Sequence, residues 1–220
     1  MSAPQPSDTK QKIMDTAEKL FATDGYSVTS FRNITSEAGV NLAAINYHFQ
    51  SKEGLLMAVL HRRIDPMNQQ RLEMLDALEA GGAPDVESIV RAMLEPALRM
   101  KERFGVHGEH AIRILGKLHG DPAGVPDELF SDLFKEVFER FTAAFSSALP
   151  GIPAAERHWR LHFVIGAMAH TLVTSLKLEE LTCGLCDASD TDAMVERIVV
   201  FATAGLTAPL PASIPGGSGS

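Results

Sequence analysis

The chain has 220 residues, 45% hydrophobic and 22% charged, the make-up of a folded globular protein, which excludes disorder by composition and allows one large domain or a small one joined to a medium one. Its net charge of −8 excludes a protein that coats nucleic acid indiscriminately through a basic surface. Residues 1–65 carry seven Lys/Arg and seven Asp/Glu, so the whole excess of acid lies behind them. If any part meets an anionic polymer, it is this front third. The two cysteines give no disulfide framework, no basic start precedes an apolar stretch, and no uninterrupted apolar run approaches the about 20 residues that span a bilayer. A cytoplasmic protein with no membrane partner is expected.

In chain order, residues 1–8 form a Pro/Ser-rich tail. Ile13, Ala17, Leu20 and Phe21 then fall on one face of a first helix, with Asp8 as its expected N-cap and Gly25 as its stop. A short helix is expected from a Thr29 cap to Gly39, and another over about 41–49, before Ser51 caps a long one from Lys52 to Ala80. The run Gly81-Gly82-Ala83-Pro84 ends that helix, and Pro66 is expected to kink it. Further helices are expected over about 85–103, 107–119, 127–148, 154–181 and 190–206, with a Pro/Gly/Ser tail over 208–220. Strand-like alternation and fixed repeats are lacking, so the fold class is all-α.

Two short helices joined by a glycine turn are the frame of a helix-turn-helix, whose second helix enters the major groove. In Val40-Asn-Leu-Ala-Ala-Ile-Asn-Tyr-His-Phe, the spacing turns Val40, Ile45 and Phe49 inward, toward Ile34 and Phe21. Asn41, Leu42, Ala43, Ala44, Asn46, Tyr47 and His48 are left to face outward or flank a groove.

With Ile13 to Phe21, Thr29 to Gly39 and, above all, Asn46-Tyr-His-Phe-Gln-Ser-Lys-Glu-Gly-Leu-Leu (46–56), the chain resembles the TetR family of transcriptional repressors. The resemblance implies a helix-turn-helix domain over 9–52, joined through helix 52–80 to a ligand-sensing and dimerising domain over 53–207. It implies that Thr29, Tyr47, His48 and Lys52 hold phosphates, that Asn41, Leu42, Ala43, Ala44 and Asn46 face base edges, and that Arg32 joins the DNA contacts. Hydroxyl, imidazole and ammonium groups suit phosphate oxygens, a carboxamide suits adenine, and alanine or leucine methyls suit thymine. Many family members carry a cation where Leu42 stands and glycine where Ala43 stands, so this reader has fewer charges.

Apolar residues encircle the stretch 154–178, which is expected to be buried on most sides. Trp159, Phe163, Gly166 and Ala169, with Met194, Ile198 and Phe201 of the last helix, are the expected interface of a homodimer. Met93, Met100, Phe104, Ile114, Phe134, Phe138 and Phe141 are candidates to line a pocket for a small hydrophobic effector, although such stripes are commonly plain core. His110, His162 and His170 are candidate anchors for its head group. The stretches 113–117 and 159–168 are similar to the branch that includes regulators of fatty-acid metabolism. No metal or other cofactor is expected: the pairs His107/His110 and His158/His162 and the spacing Cys183-x-x-Cys186 fall short of a ligand set. The leading reading is a homodimeric repressor on a palindromic operator of double-stranded DNA. Signatures of hydrolases, phosphate loops and dinucleotide sites are lacking, so no enzyme is expected. An all-helical hydrolase, or a metal or thiol sensor using the His and Cys residues, is the alternative.

Overall fold

The computed structural model describes residues 6–120 and 131–210, and every regular element among them is an α-helix. The chain divides into two compact units, residues 1–66 with 100–133 and residues 67–99 with 134–220. In the first unit, α1 (Pro6–Thr23) buries Ile13, Ala17, Leu20 and Phe21, as their spacing on one helical face demands. It begins ahead of Asp8, not at it; proline suits a first turn, and Asp8 stands inside that turn, where its charge complements the helix dipole.

The cap of α2 (Phe31–Ala38) is Ser30, not Thr29. The Ser30 hydroxyl accepts the Asn33 N–H at 3.2 Å and Asn33 Oδ1 accepts the Ser30 N–H at 3.1 Å, which closes a capping box. Gly39 ends α2 in the left-handed region at φ 64° and ψ 38°, and the Asn41 carboxamide opens α3 (Leu42–Phe49) by accepting the Ala44 N–H at 2.8 Å. The next helix, α4 (Lys52–Ala80), follows almost at once, with Ser51 Oγ accepting the Gly54 N–H. A Cβ on Gly54 would stand 2.6 Å from the Phe49 carbonyl oxygen, so this close approach of α4 to the end of α3 requires glycine.

Helix α4 runs through Pro66, and the division between the units falls there: residues 52–66 belong to the first and 67–80 to the second. The helix expected over 85–103 is broken. α5 (Val86–Leu98), capped by Asp85, ends at Arg99, shortly after Pro96 has removed one N–H from its last turn, and α6 (Met100–Phe104) follows before α7 (Val106–Gly120). In the first unit α7 lies against α1 and α6.

In the second unit α5 packs against α8 (Lys135–Ala148), α9 (Ala154–Leu181) and, most extensively, α10 (Thr191–Thr207). Their core holds Leu75, Ile89, Leu94, Phe141, Phe145 and Val199. The expected helix 127–148 is interrupted at Phe134, which has φ −121° and ψ 0° and stands outside α8; residues 121–130 lie outside the described ones. Within α8 the expected stripe divides: Phe141 and Phe145 are buried, while Phe138 is exposed. The buried Arg160 fastens the end of α10, donating to the carbonyls of Leu206 at 2.8 Å and Ala208 at 2.7 Å and to Glu156 at 2.8 Å, so helix-end carbonyls gain partners.

Helix α9 departs from expectation. Its buried side chains are Arg160, Leu161 and Val164, whereas Trp159, Phe163, Val173 and Leu176 are exposed. Polar residues interrupt its apolar run; by length and composition alone it is apolar enough to cross a membrane, a test that core helices of soluble proteins also pass. Replacing the buried Phe145 with alanine is expected to lower the unfolding free energy by about 3–5 kcal/mol, measured as a fall in the denaturant midpoint.

Candidate nucleic-acid interface

The outer face of α3 follows from its inner one. Ile45 and Phe49 are buried, and this fixes the helix so that Leu42, Ala43, Asn46 and Tyr47 share the exposed side. Tyr47 is 80% exposed, its ring edge-on to His48 at 5.1 Å between centroids. Ala44 and His48 are half-buried flanks, and Arg32 is exposed on α2. Asn41 spends its side-chain oxygen on the cap, which leaves its amide N–H groups free to face outward. The face offers methyls, a carboxamide and a phenol, the groups that read base edges and hold phosphates without charge.

Two residues expected to hold phosphates have other work. Thr29 is 3% exposed, and its hydroxyl donates to the Gly25 carbonyl at 2.8 Å. Lys52 donates to the carbonyls of Tyr26 at 2.8 Å and Thr29 at 3.0 Å and stands 4.2 Å over the Tyr26 ring. It thereby ties the segment between α1 and α2 to the start of α4. Tyr26 donates to Glu53 at 3.0 Å, and burial together with that carboxylate pushes the phenol pKa up. The enclosed Thr29 is corrected to a support of the reader, while Lys52 is half-buried, with its ammonium on the carbonyls of the same segment. The sequence reading missed the exposed Ser30, which opens α2; the signal was the Ser30-x-x-Asn33 box, in which asparagine replaces the usual Glu or Gln.

Residues 13–59 match the family described as "Bacterial regulatory proteins, tetR family", and residues 91–205 match "Tetracyclin repressor-like, C-terminal domain". This chain belongs to the TetR family. It is 23% identical over 166 residues to an HTH-type transcriptional regulator of Lactococcus lactis subsp. lactis, covering 76% of this chain and 82% of that one. It is 24% identical over 139 residues to the nicotine-responsive transcriptional repressor HdnoR of Paenarthrobacter nicotinovorans, 62% of this chain and 69% of that one. Among solved structures, the transcriptional regulator FadR of Bacillus subtilis in complex with stearoyl-CoA superposes with a TM-score of 0.61 at 14% identity, over 89% of this chain and 98% of that one, a likeness of fold. This protein is thus a TetR-family DNA-binding transcriptional regulator, helical in both its reader and its C-terminal part.

The first unit of this regulator is held by a buried carboxylate. Glu18 of α1 is fully enclosed; its Oε2 accepts from Arg62 at 2.7 Å and Arg63 at 3.1 Å, both on α4, while its Oε1 pairs with His107 of α7 and lies 3.6 Å from His110 Nδ1. Glu18, His107 and His110 bring one potential ligand atom each within 4.8 Å of one another. Two guanidinium groups on the same carboxylate would repel a dication there, which makes the cluster a clasp of α1, α4 and α7. Burial works to raise the Glu18 pKa, but the hydrogen bonds from His107 and Arg62 and the charges of Arg63 and Arg62 outweigh it and hold it below the ordinary value.

The expected pocket residues of this TetR-family protein are divided between the two units. Met100, Phe104, His110 and Ile114 belong to the first unit, and Met93, Phe134, Phe138, Phe141, His162 and His170 to the second. His110 serves the clasp, while His162 and His170 are exposed on α9. Two hollows in the second unit, of about 470 Å³ beside Leu176, Glu179 and Cys183 and about 310 Å³ beside Pro84 and Ala144, use none of these residues. Of the expected dimer residues, Trp159, Phe163, Gly166, Ala169 and Phe201 are exposed and Met194 is half-buried; Ile198 is corrected to the core, where it packs with Val195 and Val199. Cys183 and Cys186 are exposed free thiols after α9.

Because the clasp depresses the Glu18 pKa, its stabilisation is present above the unfolded-state value and is lost as the pH falls through the folded one. Glu18→Gln is expected to cost about 3–5 kcal/mol at pH 7. The difference in melting temperature from the parent is expected to shrink as the pH falls below about 4.3.

Proposed function

We propose that two copies of this TetR-family regulator bind a palindromic operator as a homodimeric repressor, each through the outer face of α3, and are released by a small hydrophobic molecule. The observation that carries the reading is the exposed cluster Leu42, Ala43, Asn46 and Tyr47 on a helix fixed from behind. Tyr47, His48 and Arg32 are assigned to phosphates, and Asn41, Leu42, Ala43, Ala44 and Asn46 to base edges. Residues 9–52 act as the reading domain and 53–207 as the sensing and dimerising part.

The dimer is assigned to the bare apolar side of α9 with Phe201 of α10. Trp159 at 59% and Phe163 at 62% exposed, with Gly166 and Ala169 on the same helix, supply what a helix of a second copy buries: large side chains with small ones that permit close approach. The effector is assigned to the second unit, at the edge of its core beside Met93. The stearoyl-CoA seen in the Bacillus subtilis FadR structure supports an apolar-tailed effector. Helix α4, which contributes to both units, is the assigned carrier of the response, with the clasp passing it to α1.

Two measurements test this. Tyr47→Ala is expected to weaken retention of DNA from the region upstream of the protein's own coding sequence by about tenfold, with the gel-filtration volume unchanged. Phe163→Asp is expected to convert the dimer to monomers in sedimentation analysis and to weaken operator binding with it; a dimer that survives this change places the interface elsewhere.

A further inference from the structure

The second unit encloses a charge that lacks a counter-charge. Arg71 of α4 is 5% exposed. Its Nε donates to the Met93 carbonyl at 2.7 Å, Nη1 to Asn68 Oδ1 at 3.1 Å, and Nη2 points at the Met168 sulfur at 3.9 Å. All three acceptors are neutral, and the third is a weak one. Other arginines of the same unit reach carboxylates: Arg91 reaches Glu196, Arg99 reaches Glu95 and Asp192, Arg140 reaches Asp76, and Arg160 reaches Glu156. Among the described residues Arg71 has no such partner. Burial alone pushes its pKa down to about 10, with no carboxylate acting against it.

A buried cation with neutral partners is costly in a folded core and rarely kept for stability, since a hydrophobic residue of like volume would serve as well. Its planar fork, however, is suited to a carboxylate. The surroundings supply the other half of a binding site. Met93 and Met168 are unbranched, adaptable thioether side chains, and Met168 and Leu172 lie at the partly buried edge of the apolar core.

We infer that Arg71 is the anchor for an organic anion with an apolar tail, whose carboxylate takes the place of the Met168 sulfur on Nη2 while the tail lies along Met168 and Leu172. The inference deepens the proposed effector response and rests on that reading for its regulatory meaning. It narrows the effector from any hydrophobic molecule to a monoanionic amphiphile and adds a residue absent from the pocket expected from the sequence.

The test uses the full-length protein with butyrate, octanoate, palmitate and benzoate, against octanol, octylammonium and inorganic phosphate. At least one carboxylate is expected to raise the melting temperature, and octanol, octylammonium and phosphate to have no such effect. By titration calorimetry, Arg71→Gln is expected to weaken the carboxylate by about tenfold or more, with Arg71→Lys intermediate. Arg71→Met, which replaces the buried charge with apolar volume, keeps the test sound should the glutamine variant fold poorly. Binding of octanol as tight as octanoate, equal carboxylate affinity in Arg71→Gln or Arg71→Met, or no response to any carboxylate would overturn the inference. DNA retention separates the two readings. A carboxylate that binds through Arg71 without releasing DNA contradicts the effector role and upholds the site. Release by a neutral compound that is indifferent to Arg71 upholds the effector role and contradicts the site.

Discussion

The reader depends on the burial of one side of a helix of two turns. An eight-residue helix has little stability alone, and α3 persists because Ile45 and Phe49 are enclosed while Asn41 closes its first turn. Once that side is fixed, the period of the helix leaves no choice about which residues are presented: Leu42, Ala43, Asn46 and Tyr47 go out because Ile45 and Phe49 go in. Tight junctions keep α3 in place, with Gly39 turning the chain before it and Gly54 letting α4 approach the Phe49 carbonyl behind it. The exposure of Tyr47 is a consequence of packing, and its lack of cover is what makes it available to a partner.

The same economy governs the charged groups. Lys52 and Thr29 look like phosphate ligands in a string of letters because an ammonium and a hydroxyl are chemically competent for it. In the fold both are spent on backbone carbonyls of the segment that joins α1 to α2, whose polar groups need partners once water is excluded. Glu18 is the counterpart on the other side of the first unit, a single carboxylate that satisfies groups from α4 and α7. Through it α7, which the sequence assigns to sensing, packs with α1 in the reader's unit.

Much of this was legible from periodicity and punctuation. Ile13, Ala17, Leu20 and Phe21 declared α1 by spacing, and the Gly-Gly-Ala-Pro run marked the end of α4. The helix-turn-helix was legible because its glycine turn, its caps and its inward residues all lie within a few positions of one another. What escaped depends on contacts distant in sequence. Glu18 meets His107 across 89 positions and Arg71 meets Met168 across 97, and no local pattern announces either. The break at Arg99 and the interruption at Phe134 escaped because apolar spacing runs on through both. The stripe of phenylalanines suggested one cavity, but tertiary packing placed Phe141 in a closed core and Phe138 outside it. For α9 the sequence reported apolar residues all round, yet a sequence cannot say whether its own chain or a second copy covers them.

The central claim, that the outer face of α3 meets DNA while its inner face stays packed, is tested most directly by nuclear magnetic resonance on methyl-labelled protein titrated with a duplex from its own upstream region. The account predicts that the Leu42 and Ala43 methyl signals shift or broaden as DNA is added while those of Ile34 and Ile45 remain in place. Duplex binding that leaves Leu42 and Ala43 unperturbed, with the changes gathered on another helix, would contradict it.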